Sequence, residues 1–212
     1  LMKNINFGYD MKPTNKPMKR LSLYLFLILF TLPTPSWADD IRDFEIQGVG
    51  IGDSLLNIFS EKELNKYKDN NVNFYPKSKK FFTLSAPSAD ENFRQINVDL
   101  KHLDKKFIIY GISQYKRSKI DDCLEEKNIV VKDIKNLFSS DLKQDDYSQK
   151  HNADQTGNSK MFATEFIFKD GSSINIVCTD WGKELEDEGY VDNLDVGIAS
   201  YEFYKWVTNE AY

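Results

Sequence analysis

Histidine and cysteine are scarce in this sequence, which contains two of each among its 212 residues. Neither His102 nor His151 lies at a metal-ligand spacing from Cys123 or Cys178, so no pattern typical of a zinc site is present. The sequence also lacks a glycine-rich phosphate loop and a convincing catalytic triad. We therefore expect no metal, no bound cofactor and no catalytic residue.

Basic residues are too few for a nucleic-acid-binding protein, since 28 Lys and Arg residues stand against 33 Asp and Glu residues. Five of those basic residues and one of the acidic residues precede Asp39, so the rest of the chain carries a formal net charge of −9. Nucleic-acid phosphates require clusters of Lys and Arg, and anionic lipid headgroups attract the same residues. We expect neither to be a partner.

The uncharged run LSLYLFLILFTL, residues 21–32, is shorter than a membrane span, which needs about 20 apolar residues. A basic segment precedes it, and PTPSWA follows it with the small residues Ser36 and Ala38. This pattern predicts a secretory signal peptide over residues 1–38, with cleavage after Ala38. We expect a periplasmic or secreted protein that keeps no stable membrane anchor after cleavage.

Residues 39–212 are the predicted mature protein, and their number suits a single domain with its own hydrophobic core. Because the sequence opens with Leu1, we expect translation to start at Met11 or Met18.

Apolar and polar residues alternate along several segments of the mature chain, which predicts strands, and other segments carry apolar stripes at helical spacing. The predicted strands are 44–51, 79–86, 93–101, 106–116, the two runs that flank Asp170-Gly171, and 193–200. The predicted helices start near 53 and 60 and span 118–140 and 200–212. Hairpins join the strands, so we predict an α+β fold, an antiparallel sheet with helices packed on one face.

Cys123 and Cys178 allow only one internal disulfide, and an exported chain meets an oxidising compartment. Cys123 lies on the apolar stripe of the predicted helix 118–140, and Cys178 lies on the second strand of the hairpin that turns at Asp170-Gly171. A helix packed on that sheet face would bring the two sulfurs together. We predict a disulfide between them; the alternative is two separate buried thiols.

The string Gly-Asp-Ser-Leu, which includes Ser54, is shared with a large family of serine esterases. A serine nucleophile needs a histidine base and an acid that orients it. Asp99 and His102 have the family's Asp-x-x-His letters, but they lie in mid-chain, on and just after a predicted strand, and no Gly-x-Asn-Asp block is present. We therefore predict that Asp53 or Ser54 caps a helix and that the two following leucines are buried. A hydrolase using Ser54 is the alternative.

The acidic stretch 184–195 resembles a calcium loop when Glu184 is set as position 1, because Gly189 and Asp195 then fall at positions 6 and 12. The ligand types differ from those of a calcium loop, since Glu replaces shorter Asp or Asn early in the loop. We favour a solvated acidic loop, with a calcium-stabilised module as an alternative.

The polar stretch 150–160 is a candidate binding loop, because it brings His151, Asp154, Ser159 and Lys160 within ten residues. Long loops of this kind are often functional, and a mobile polar loop without a binding role is the alternative.

Aromatic residues are plentiful, with 15 Phe, 11 Tyr and three Trp, and most of them lie on strand faces or helix stripes. On the C-terminal helix Tyr201, Tyr204 and Tyr212 could form an exposed patch. Such a patch would mark a surface for a protein partner.

Four segments together resemble a family of small exported proteins from marine bacteria. They are GVGIGDSLLNIFSEKEL, HNADQTGNSK, FKDGSSINIVCTDW and YEFYKWV, and the likeness extends over nearly the whole mature chain. The family has no assigned activity, so the resemblance implies an exported protein without implying catalytic residues. Together with the missing triad, metal cage and phosphate loop, it leads us to expect a non-enzymatic protein that binds a partner or has a structural role in the envelope.

Overall fold

The computed structural model describes part of the chain: residues 40–68, 72–88, 90–138, 142–151 and 154–211. The chain divides into the units Leu1–Ser36 and Trp37–Tyr212, and every described residue belongs to the second unit. The predicted signal peptide and its cleavage site lie outside the described residues.

The described residues form ten strands, four α-helices and two short 3-10 helices. The strands are β1 (Glu45–Ile46), β2 (Val49–Gly50), β3 (Val72–Phe74), β4 (Phe81–Pro87), β5 (Gln95–Lys101), β6 (Ile109–Arg117), β7 (Lys143–Lys150), β8 (Lys160–Ile167), β9 (Ser173–Asp180) and β10 (Asn193–Ala199). The helices are α1 (Glu61–Lys68), α2 (Ile120–Leu137), α3 (Lys183–Asp187) and α4 (Tyr201–Asn209), and the 3-10 helices are Ile41–Asp43 and Leu55–Asn57. No helix of the described chain is both long and apolar enough to cross a membrane.

Eight of the strands form one antiparallel sheet in the order β3-β4-β5-β6-β10-β9-β8-β7, and β1 and β2 pair separately. The sheet consists of two four-stranded meanders, β3 to β6 and β7 to β10. Within each meander, strands that follow one another in the chain are also neighbours in the sheet. Helix α2 connects the end of β6 to the far edge strand β7, and β10 then returns to pair with β6 at the centre. The predicted antiparallel sheet and the α+β class are confirmed.

One face of the sheet is apolar, and we call it the covered face. Its buried side chains come from alternate positions of neighbouring strands, for example Leu84, Val98, Ile112, Val196 and Ile176. Helices α1 and α2 pack on this face and complete the hydrophobic core.

The predicted disulfide joins α2 to the covered face. Cys123 and Cys178 are bonded, with their Cα atoms 5.9 Å apart, and both are fully buried. Cys178 alternates along β9 with the buried Ile174 and Ile176, as the sequence pattern predicts. The prediction of this pair is confirmed.

Helix α4 packs on the opposite face, so the expectation that all helices lie on one face is wrong. Phe203 lies directly over Gly111, because a side-chain carbon at position 111 would come within 3.0 Å of the Phe203 ring. Trp206 packs against Phe81 with ring centroids 5.0 Å apart. Ser200 caps α4 through a hydrogen bond from the backbone N–H of Phe203, and the chain turns back over the sheet directly after β10.

The sequence predicts no strand over residues 141–160, but Lys143–Lys150 form the edge strand β7. One other expectation needs correction. The leucines after Ser54 are not both buried: Leu55 is 3% exposed, whereas Leu56 is 40% exposed because the short 3-10 helix turns it towards solvent.

Candidate functional site

The second face of the sheet carries polar side chains along its central strands, and we call it the open face. One row of this face crosses β4, β5, β6, β10 and β9 and consists of Ser85, Asn97, Ser113, Gly197 and Asn175. Gly197 is buried, and the other four residues are partly exposed. Helix α4 covers the end of this face that includes Phe81 and Ala199, and its Tyr204 side chain contacts Glu165 on β8. The partly exposed side chains of the row are available for contact with a partner.

Asp99 lies on the open face and is held in place by two hydroxyl groups. Thr83 donates a hydrogen bond to Asp99 Oδ1 at 2.6 Å, and the Tyr75 hydroxyl donates to the same oxygen at 3.1 Å. The carboxyl group lies over β6, since a side-chain carbon at Gly111 would meet Asp99 Oδ2 at 2.6 Å. Glycine at position 111 therefore allows the carboxyl group and the ring of Phe203 to share this place.

Asp195 lies on the other side of β6, on β10, and also faces the open side. The Ser113 hydroxyl donates a hydrogen bond to Asp195 Oδ2 at 3.2 Å. The two carboxyl groups thus lean over Gly111 and Ser113, which are successive positions on one face of β6 and roughly 7 Å apart along the strand. We call Asp99 and Asp195 the carboxyl pair.

The carboxyl pair holds its protons more tightly than ordinary aspartates. Burial raises the pKa of Asp99 to about 6, although the hydrogen bonds from Thr83 and Tyr75 partly oppose this. Burial also raises the pKa of Asp195 to about 7, and the nearby charge of Asp99 adds to that effect. In the described part of the chain neither carboxylate forms an ion pair with Lys or Arg. At pH 8 the pair is therefore two negative charges with hydroxyl partners only.

A third carboxyl group, Glu165, lies further along the same row, opposite Asn175. It is 5% exposed, and its Oε2 atom accepts a long hydrogen bond of 3.4 Å from the Tyr204 hydroxyl. Its Oε1 atom has no hydrogen-bond partner among the described residues. Burial raises the pKa of Glu165. The open face thus concentrates carboxyl groups that their surroundings do not neutralise.

The predicted aromatic patch on the C-terminal helix is smaller than expected. Tyr201 is 49% exposed, but Tyr204 is partly buried against Glu165. Tyr212 lies outside the described residues.

The candidate binding loop 150–160 is organised internally by Asp154, which is 6% exposed. Asp154 accepts hydrogen bonds from the backbone N–H groups of Thr156 at 2.8 Å and Ser159 at 2.7 Å, and from both of their hydroxyl groups. These hydrogen bonds, the one from the Ser159 hydroxyl first, hold the pKa of Asp154 well below its usual range. Asp154 and Ser159 therefore shape the loop, whereas Lys160 is exposed at the start of β8.

His151 connects this loop to the acidic stretch. Its ring lies 4.3 Å from that of Trp181, and the Trp181 ring lies 4.8 Å from that of Tyr190. The backbone N–H of Gly182 also donates to the Ser159 hydroxyl at 2.9 Å. Burial lowers the pKa of His151. Two stretches that the sequence analysis treated separately thus meet at one end of the sheet.

The carboxylates of the acidic stretch do not converge as calcium ligands would. Glu184 accepts from the Asn158 side chain, Asp192 accepts from the backbone N–H of Trp181, and Asp195 lies on β10 within the carboxyl pair. Among the described residues, no group of three or more His, Cys, Asp or Glu side chains is arranged to hold a metal ion.

Ser54 caps the 3-10 helix Leu55–Asn57, as one of the two predicted options stated. Its hydroxyl accepts from the backbone N–H of Leu56 at 3.2 Å and donates to the carbonyl of Lys106 at 2.5 Å. Asp53 is not the cap, since its carboxylate accepts instead a hydrogen bond from the backbone N–H of Gly50, in the preceding turn. The Ser54 hydroxyl is thus engaged with backbone groups.

No profile of a known protein family matches this chain, and neither do any curated proteins or solved structures. The candidate site consequently rests on the geometry of the open face. The sequence did contain one signal for it: the alternation along 93–101 placed Asn97 and Asp99 together on the polar side of a strand.

Proposed function

We propose that this is an exported binding protein, active outside the cytoplasm, whose open face recognises a partner through a cationic group. Export is supported by the signal-peptide pattern of residues 1–38 and by the disulfide between Cys123 and Cys178, since disulfides persist in oxidising compartments. The resemblance to exported proteins of marine bacteria agrees with this proposal. N-terminal sequencing of the secreted product is expected to begin at Asp39, and a full-length chain retained in the membrane would contradict export.

The carboxyl pair carries the binding proposal. Withdrawing an ionised carboxylate from water costs free energy unless an opposite charge compensates it. Asp99 and Asp195 have hydroxyl partners but no Lys or Arg partner in the described chain. An ammonium or guanidinium group placed between them would supply the missing charge and form charge-assisted hydrogen bonds, which are stronger than neutral ones.

The pair is partly exposed on the open face. Asp99, Asp195 and Ser113 each keep some exposed surface, while the Phe203 ring of α4 shares the place over Gly111 with the Asp99 carboxyl group. The binding is a property of the sheet surface and requires no covalent chemistry. We therefore propose a non-enzymatic role.

Calorimetric titration of the mature protein with spermidine and with a short arginine-rich peptide tests this function. The first probe represents a free amine and the second a protein partner, so the two arms distinguish these sources of a cationic group. We expect at least one probe to bind at pH 8 and to lose at least tenfold in affinity at pH 5, where the pair is protonated. Asp99→Asn and Asp195→Asn should each weaken binding by a similar factor.

Asp133→Asn is the matched control, because Asp133 is an exposed aspartate on α2, away from the open face. It should bind the probes as the unmodified protein does. If neither probe binds, or if both bind the Asp99/Asp195 double variant with unchanged affinity, the proposed function is wrong.

A second candidate function is acid–base chemistry by the same two residues. It is favoured by pKa values of about 6 and 7, because a general acid or base works best when its pKa lies near the operating pH. Turnover of chromogenic ester or glycoside substrates that disappears in Asp195→Asn would favour this candidate over simple binding.

A further inference from the structure

The structure assigns a second binding site to the end of the sheet opposite α4, and we propose that it takes a neutral, hydroxyl-rich ring such as a sugar. An open depression of about 460 Å³ on the protein surface lies there, and we call it the corner pocket. The turn between β6 and α2 forms one wall with Arg117 and Lys119, and Glu186, Tyr190 and Asp192 form the other. Its volume lies in the range of small-molecule sites.

Tyr190 provides an aromatic surface in this pocket that is already fixed in position. It is 41% exposed, yet its ring packs on Trp181 at 4.8 Å, and Trp181 packs on His151 at 4.3 Å. The backbone N–H of Tyr190 donates to the carbonyl of Leu185 at 3.0 Å. A ring that is held before the ligand arrives loses little conformational entropy on binding.

The loop that holds this aromatic row is itself hydrogen-bonded. Asp192 accepts a hydrogen bond from the backbone N–H of Trp181 at 2.8 Å, which joins a residue just before the acidic stretch to one within it. The Ser159 hydroxyl accepts from Gly182 at 2.9 Å and donates to Asp154. These hydrogen bonds therefore hold the loop in the conformation that exposes one face of the Tyr190 ring.

The charges that line the corner pocket balance one another. Arg117 and Lys119 are cationic, and Glu186 and Asp192 are anionic. A polyanion would meet the two carboxylates, and a polycation would meet the two basic groups. A neutral ligand whose hydroxyls both donate and accept hydrogen bonds suits all four side chains.

Sugar rings combine the two features that this pocket offers to a ligand. Their C–H faces pack on aromatic rings, and their hydroxyl groups reach polar side chains at the edge of the ring. The class of ligand thus follows from Tyr190 together with the mixed charges around it. This site is separate from the carboxyl pair and does not depend on the function proposed for it.

Calorimetric titration of the mature protein with cellotetraose, laminaritetraose and mannotetraose tests the inference. We expect at least one of these neutral oligosaccharides to bind, with a change in the fluorescence of Trp181. Tyr190→Ala should lower the affinity at least tenfold, and Tyr190→Phe should keep it within about threefold because the ring remains. Tyr201→Ala, which removes another exposed tyrosine on α4, is the matched control and should bind as the unmodified protein does.

Three results would overturn the inference: no binding of any of the three oligosaccharides at millimolar concentration, unchanged affinity in Tyr190→Ala, or tighter binding of free amino acids than of sugars. Asp195→Asn should leave sugar binding unchanged. The outcome for the corner pocket is therefore distinguishable from the outcome for the carboxyl pair.

Discussion

Asp99 and Asp195 depart from what stability alone requires. Each carboxylate lies against protein atoms, faces hydroxyl groups, and has no cationic partner in the described chain. Strongly raised pKa values of this kind occur often at functional sites. At the scale of single residues, the pair is the clearest functional signal.

Asp195→Asn should stabilise the protein at pH 8 and have little effect near pH 4. The folded pKa of about 7 lies above the ordinary value of 3.8, so the folded state keeps a proton that the unfolded state has already lost. The free energy of unfolding therefore falls as pH rises from about 4 to about 7 and stays low above that. Removing the charge should recover about 2–4 kcal/mol at pH 8.

Thermal melts of both proteins at pH 4 and pH 8 check this prediction. Asp133→Asn serves again as the control. Equal melting temperatures for Asp195→Asn and the unmodified protein at pH 8 would contradict the account of the pair.

Gly111→Ala should destabilise the protein and displace Asp99. An added methyl group would lie 2.6 Å from Asp99 Oδ2 and 3.0 Å from the Phe203 ring, so one of them must move. Overpacking of this kind typically costs about 1–3 kcal/mol. Urea unfolding measures the cost, and a variant as stable as the parent would show that position 111 has free space.

At the scale of secondary structure, the features that the sequence predicts best are those that depend only on residues close together in the chain. Ser60 and Glu63 form a capping box at the start of α1, where the sequence predicts that a helix begins: the Ser60 N–H donates to Glu63 Oε2 at 2.8 Å, and the Glu63 N–H donates to the Ser60 hydroxyl at 3.3 Å. Ser200 likewise caps α4. These contacts span three residues, so they can be inferred without knowledge of the fold.

Strand β7 could not be inferred in this way. Its sequence, KQDDYSQK, is polar on both faces, and seven of its eight residues are exposed. It is a strand because β8 offers it a complete edge, from Lys143 opposite Ile167 to Lys150 opposite Lys160. Pairing of this kind depends on the sheet already being present, and a local pattern does not encode it.

Asp154→Ala should loosen the loop between β7 and β8 without unfolding the sheet. The backbone N–H groups of Thr156 and Ser159 both donate to Asp154, so their hydrogen exchange should become faster. Asp154→Asn keeps one acceptor oxygen and should have a smaller effect. Unchanged exchange at Thr156 and Ser159 in Asp154→Ala would show that other contacts hold the loop.

At the scale of the whole molecule, the disulfide fixes α2, which connects the two meanders in the chain, to strand β9 of the second meander. Reducing the bond, or making Cys178→Ser, should lower the melting temperature sharply. The bond closes a loop with a sequence separation of 55, and the loop-entropy relation gives about 4 kcal/mol for that length. That is a large share of a typical domain stability of about 5–15 kcal/mol.

Melting with and without reductant checks this prediction, and Cys178→Ser should give the same result in both conditions. Identical melting curves for the oxidised and the reduced parent protein would contradict a structural role for the bond.

The arrangement of the two meanders explains which part of the molecule could be inferred from sequence and which could not. The Cys123–Cys178 pair followed from a helix stripe and a strand alternation, both of which are local patterns. The position of Asp99 beside Asp195 follows from β10 returning to pair with β6, across about 100 residues of chain. The same return places α4 on the open face, which the sequence analysis did not foresee. A single sequence contains no direct signal for that pairing.

The carboxyl titration of Asp99 and Asp195, followed by NMR with and without a cationic probe, tests the central proposal most directly. In the free protein we predict pKa values of about 6 and about 7. Saturation with spermidine or the arginine-rich peptide should lower both, because a nearby cation favours the ionised form. Titration of both groups near 3.8 in the free protein, or values that the bound probe leaves unchanged, would contradict the proposal that the open face binds a cationic group.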